Sequence, residues 1–225
     1  MQESYFRGFR KETVIFFIEL RENNYKEWFE ANREKFNLHV KEPFKALASD
    51  LKEAMLSIDP EFEIRPEKVM SRIYRDVRFS KNKSPYKTTM WLTYKKPNTD
   101  WQNYPAYFFE IGADSYRYGM GFYIAEKMTM DKLRDYITKN TGKFLKMWKE
   151  IEKSGELKIY GEMYKRKIPN TLSDELQDWY QRKNLYIMYE KGIGDELFSE
   201  KILKDVIRGF EILKPLYYFF LSLKD

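Results

Sequence analysis

Six of the sixteen side chains between Arg72 and Lys87 are basic and one, Asp76, is acidic, in the run RIYRDVRFSKNKSPYK. Arginine presents a planar fork of donors that matches phosphate or carboxylate, and lysine adds a point charge. The second half of the run, Ser80 to Lys87, is rich in turn residues whose exposed backbone amides suit an anion nest. Arg72, Arg75, Arg78, Lys81, Lys83, Tyr86 and Lys87 are therefore the candidate ligands of an anion, with the hydroxyls of Tyr74 and Tyr86 placed to orient it. The chemistry such a set could perform is electrostatic stabilisation of a transferring phosphoryl group. Asp76 is the nearby general-base candidate, but arginine neighbours depress a carboxyl pKa, which makes it a better arginine clamp than a base. No catalytic residue is singled out, and whether the chain is an enzyme or a binding domain stays open. The bland alternative is an internal salt-bridge lattice with a solvated basic hairpin tip.

The charge distribution explains why this segment stands out. The chain has 225 residues, 41 Lys and Arg against 35 Asp and Glu, and a net charge of +6. Residues 1–60 are at −1, residues 61–100 at +5 and the remainder at +2. A backbone-tracking nucleic-acid surface spreads its cations more widely. A pI of about 9.1 and abundant aromatics keep a nucleic-acid module as an alternative, as is a domain that docks an acidic protein. With no cysteine and one histidine, disulfides, thiolate zinc and polyhistidine metal sites are out of reach, and no metal site is expected. No phosphate loop, zinc-protease helix or nucleophile elbow occurs, and no cofactor is implied. The apolar run near the N-terminus is short and flanked by acids, unlike a signal peptide. Arg208, Glu211 and Lys214 interrupt the apolar C-terminal stretch as a membrane span would not tolerate. A soluble, cytoplasmic protein that does not enter membranes is the expectation.

The elements that must position the segment are legible from periodicity. Phe9, Thr13, Phe16, Phe17 and Leu20 predict a first helix closed by Asn23-Asn24, and Asn24 to Glu27 reads as a capping box for the next. Phe29, Phe36, Val40, Phe44, Leu47, Leu51 and Met55 predict one long amphipathic helix, kinked or split near Glu42 by Pro43. Val69–Tyr74, Thr88–Tyr94, Ala106–Ile111 and Tyr116–Tyr123 predict an antiparallel meander, and Leu185–Tyr189 a fifth strand. Were the first strand to reach Phe79, Arg72, Tyr74, Asp76 and Arg78 would share one face and Ser71, Ile73, Arg75, Val77 and Phe79 the other. Helices are expected around Met130–Ile137, Phe144–Ile151, from Ser173, and over Ile202–Phe220 with Pro215 as a kink. Gly155 to Asn170 reads as irregular. The sum is a single α+β domain over residues 1–225, with a sheet of about five strands packed by amphipathic helices.

Ser71 to Thr88, SRIYRDVRFSKNKSPYKT, resembles the signature of the bacterial domain-of-unknown-function family 2461, and Asn23 to Arg33, NNYKEWFEANR, is similar to its N-terminal motif. Gly119-Met120-Gly121 and Lys183 to Tyr186 are similar in placement too. The resemblance spans nearly the whole chain and implies one α+β domain, but no activity. Within the N-terminal motif, Trp28, Asn32 and His39 lie on one flank of the predicted helix and Arg33 follows Phe29 by four residues. Trp28, Asn32 and Arg33, with Tyr74 and Asp76, are candidates to line a pocket beside the basic loop. The alternative is that Trp28 packs in the core and Arg33 pairs with Glu30.

Overall fold

The structure is a computed structural model that describes residues 5–78, 81–97 and 100–224. The spacing of Phe16, Phe17 and Leu20 gives helix α1, Lys11–Glu22, which buries that stripe and ends at Asn23. The predicted long helix is a chain of shorter pieces: α2 Lys26–Ala31, α3 Arg33–Phe36, a π turn Asn37–Lys41, α4 Glu42–Asp50 and α5 Lys52–Ile58. Pro43 accounts for the widest break. It has no N–H to donate and its ring crowds the preceding turn. The backbone relaxes just before it into i to i+5 bonding, with the Glu42 N–H reaching Asn37 O. The apolar stripe survives the breaks, and Phe29, Val40, Phe44, Leu47, Leu51 and Met55 are all buried.

Strands β1 Thr89–Tyr94, β2 Pro105–Gly112, β3 Ser115–Phe122, β4 Lys158–Tyr160 and β5 Tyr186–Gly192 form one antiparallel sheet in the order β1-β2-β3-β5-β4. The fold is α+β, as the periodicities predict. Two expectations are corrected. Val69–Tyr74 is not a strand: a helical turn, α6 Pro66–Val69, precedes an extended run tied down by the isolated bridges Met70↔Leu92 and Tyr74↔Tyr86. And the stretch read as irregular holds β4, which pairs with β5 through Lys158↔Met188 and Tyr160↔Tyr186. Later come α7 Lys127–Lys139, α8 Thr141–Glu152, α9 Asp174–Tyr180 and α10 Lys201–Ser222. Pro215 lies inside α10 without ending it. Among the described residues no helix is long and apolar enough to cross a membrane.

The residues gather into two compact units, described separately. The first comprises Met1–Tyr94, Phe108–Arg117 and Glu190–Arg208. Its core is aromatic: the Phe9 and Phe109 rings stack at 5.6 Å and Phe44 closes on both. The second comprises Lys95–Tyr107, Tyr118–Tyr189 and Gly209–Asp225. There Trp179 meets Phe144 and Trp148 edge-on, each at 4.9 Å. Each such ring contributes about 1.5–3 kcal/mol by leaving water, and edge-to-face contact adds about 0.5–1.5 kcal/mol. Gly119 and Gly121 in β3 admit a very close strand: a Cβ on Gly119 would lie 2.0 Å from Ile187 O, and one on Gly121 2.3 Å from the Tyr186 Cβ.

Candidate functional site

The basic segment lies wholly in the first unit, and backbone pairing fixes its path. Ser71 N donates to Trp91 O at 2.8 Å, and Trp91 N donates back to the Ser71 hydroxyl at 3.1 Å. Beyond that point the register slips by two residues. Lys87 N then donates to Ile73 O and Arg75 N to Pro85 O, each at 2.8 Å. This frames Tyr74 and Tyr86 as a non-hydrogen-bonded antiparallel pair, the kind that brings side chains closest. The alternation expected of a strand therefore survives without a full strand. Ile73 is buried and Arg75 and Val77 half-buried, while Arg72, Tyr74, Asp76 and Arg78 face out.

A clamp from the N-terminal motif holds the second arm. Asn24 does not cap α2, which has no side-chain cap. Its Oδ1 instead accepts the Tyr86 N–H and its Nδ2 donates to Tyr86 O, both at 3.0 Å. The two motifs of the sequence are thus locked together through one backbone unit. Tyr86 is buried and stacks on Phe29 with centroids 4.1 Å apart. The Tyr74 ring leans on both from outside, at 5.5 and 6.2 Å. Burial, first of all, pushes the Tyr86 hydroxyl pKa up, so this phenol stays protonated.

The candidate cations divide into two groups. Arg33 donates through Nε to Glu30 at 2.9 Å and reaches the Tyr74 hydroxyl at 3.4 Å. Arg78 forks onto Asp76 at 3.0 and 2.7 Å, and this bond holds the Asp76 carboxyl down at about 2. Lys83 donates to Val77 O at 2.9 Å, and Lys81 is exposed. These four turn outward or are already engaged. Arg72, Arg75 and Lys87 form the other group. Among the described residues neither Arg72 nor Arg75 meets a carboxylate, and Arg75 Nε is buried without an acceptor. Lys87 donates to Arg72 O at 2.8 Å and lies over the Trp91 ring, 4.3 Å from its centroid. Burial, then the charges of Arg75 and Arg72, lower the Lys87 amine pKa from its usual value.

The remaining candidates sit apart from this trio. Trp28 is half-buried on Phe16, and Asn32 donates to Trp28 O at 2.9 Å, ending α2. The carbonyl of His39 accepts from the Thr13 hydroxyl at 2.6 Å. Ser80, part of the predicted nest, and Phe79, the furthest reach considered for the first strand, lie outside the described residues. Two site residues were not singled out from the sequence. The sequence reads Asn24 as a cap, and Trp91 beneath Lys87 has no local signal, because its placement depends on the register slip.

A cavity of about 300 Å³ in the same unit shows what neutralised charge looks like here. On its wall Arg21 pairs with Asp114 at 2.7 Å, and Arg117 with both Glu110 oxygens at 3.1 Å. Among the described residues no three His, Asp or Glu side chains group as a cation's ligand set.

The family described as "Conserved hypothetical protein (DUF2461)" matches residues 12–219. The chain belongs to this family. Both DUF2461 motifs read from the sequence fall within the match, and Asn24 and Tyr86 join one to the other. A comparison with curated proteins returns no match.

Proposed function

We propose that this DUF2461 protein binds a small phosphorylated or otherwise anionic compound at Arg72, Arg75 and Lys87. One observation carries the reading: two arginines near enough to bear on the charge of Lys87, with no carboxylate on either among the described residues. Bringing like charges together and desolvating one of them costs free energy unless a counter-charge arrives. A dianion supplies that charge, and guanidinium forks bind it with direction. The Asn24–Tyr86 clamp keeps the arm carrying Lys87 in register.

The proposal includes a cytoplasmic setting, supported by the cysteine-free chain and by its lack of a described membrane-crossing helix. A thermal-shift panel of inorganic phosphate, pyrophosphate, sugar phosphates and carboxylates tests it. A ligand at one hundred times its Kd stabilises the fold by about 2.7 kcal/mol. The expected result is a melting-temperature rise with at least one of these anions that Arg75→Ala abolishes. A rise that Arg75→Ala leaves intact, or no rise with any anion, contradicts the proposal. Affinity for single- or double-stranded oligonucleotides that falls steeply with salt would favour the nucleic-acid alternative.

A further inference from the structure

Apart from the anion site of the first unit, we propose that the second unit holds a site for a nucleobase, stacked on Tyr160 and Tyr186 at the edge of the sheet. Strand β4 is the last in the sheet, and its pairing places Tyr160 directly opposite Tyr186. Directly opposed residues of an antiparallel pair share a face of the sheet. Here the two rings lie nearly parallel, with planes 8° apart and centroids at 5.9 Å. Both are half-buried, and both line a cavity of about 490 Å³, a size ordinary for small-ligand sites. On the other side of Tyr186, β3 contributes Gly121, which has no side chain to lay across the ring.

The polar part of the wall is held in place. Arg182 is 8% exposed and donates to Gly161 O at 2.7 Å and Ile159 O at 3.0 Å. This strut therefore also fixes the backbone that shapes the cavity. Asn184 Oδ1 accepts the Glu162 N–H at 2.7 Å. That bond orients the amide and leaves Nδ2, a donor, without an acceptor among the described residues. Glu162, also on the wall, adds an exposed carboxylate that accepts.

A flat aromatic surface beside one donor and one acceptor matches a nucleobase, which offers a π face for stacking and a rim carrying donors and acceptors. A wholly apolar ligand would leave the amide and the carboxylate unpaired. A simple anion would meet the Glu162 charge, which sets this site apart from Arg72, Arg75 and Lys87.

Uncharged nucleosides are the probe, because they carry the base without a phosphate and so do not report on the anion site. Binding of adenosine, guanosine, cytidine and uridine is measured by isothermal titration calorimetry at low and high salt. The expected result is saturable binding of at least one nucleoside, little changed by salt because no counterions are released. Tyr160→Leu should weaken it about tenfold, within the range for losing one stacked base, while Tyr160→Phe, which keeps the ring, retains it. Asn184→Asp keeps the acceptor for the Glu162 N–H and removes the donor, so it should weaken binding without lowering the urea midpoint. A single-stranded oligonucleotide of about ten bases distinguishes the source of the base. Tighter binding than the nucleoside, still lost in Tyr160→Leu, supports the site with a strand as its occupant, and equal binding supports it with a free nucleoside or nucleotide. No saturable binding of any nucleoside at millimolar concentration overturns the proposal. Binding that Tyr160→Leu leaves intact, or equal binding of ribose, which has no base, overturns it too. None of these outcomes bears on the thermal-shift panel, so the two sites stand or fall separately.

Discussion

Two pairs of arginines, Arg134 and Arg182 in the second unit and Arg72 and Arg75 in the first, have different surroundings. In the second unit Arg134 gives Nε to Tyr180 O at 2.9 Å, one terminal nitrogen to Asp131 at 2.8 Å and the other to Arg182 O at 2.6 Å. Arg182 donates to Gly161 O and Ile159 O at 2.7 and 3.0 Å and reaches Asp178 at 3.3 Å. Those guanidinium groups tie together backbone carbonyls of separate segments, and their role is structural. In the first unit Arg75 has a buried Nε with no described acceptor, as Arg182 has, but among the described residues neither Arg75 nor Arg72 meets a carboxylate, and both weigh on Lys87. The same residue type serves as a strut in one place and, in the proposed reading, as an anion ligand in the other.

The largest expected effect lies on the strut. Arg134→Ala removes the guanidinium donor from one buried and one half-buried carbonyl, and at about 1–3 kcal/mol for each unsatisfied group the fold loses about 3 kcal/mol, measurable by urea unfolding. Arg75→Ala should change stability by less than about 1 kcal/mol in anion-free buffer. Comparable losses for the two variants would erase the distinction between the regions.

Next comes the clamp. Asn24→Ala removes two hydrogen bonds to the Tyr86 backbone and should destabilise by about 2 kcal/mol, seen as a lower urea midpoint. It should also weaken any anion binding by loosening the arm that carries Lys87. An unchanged midpoint would mean that the clamp does not hold the segment.

A smaller effect is expected from pH. The Lys87 pKa in the folded protein lies below its usual 10.5, so between the two values the unfolded chain binds more protons. Stability therefore rises with pH through that window, and repulsion is fully felt below the folded value. Lys87→Met should flatten this rise in a series of melting curves, and an unchanged slope would remove the repulsion from the account. Smallest of all is Asp76→Asn. The Asp76–Arg78 pair is exposed, and such pairs contribute little, so no measurable shift in urea midpoint is expected.

Much of this could be read from the sequence, and the gaps have physical causes. Helix α1, the later helices and strands β1, β2, β3 and β5 follow from periodicity, because burial on one face imposes it. Strand β4 is three residues long, too short to show a period. Val69 to Tyr74 carries β-branched and aromatic residues as a strand does, yet its backbone pairing is interrupted by the slip between Ser71 and Ile73. Pro43 announced a break, but not that a π turn would form ahead of it. The basic trio lay within a run visible at once by composition. Which of its cations share a place was not visible, because Arg78 turns to its own Asp76 while Arg75 folds inward. The Asn24–Tyr86 clamp joins residues 62 apart in the chain, a pairing that no local pattern encodes.

The central claim is that Arg72, Arg75 and Lys87 form one anion site. A crystal structure of the protein grown in phosphate tests it most directly. The account predicts a phosphate within hydrogen-bonding distance of both guanidinium groups and the Lys87 amine, with Arg75 Nε among its donors. Side chains splayed into solvent, or Arg72 and Arg75 each paired to a carboxylate with no anion between them, would contradict it.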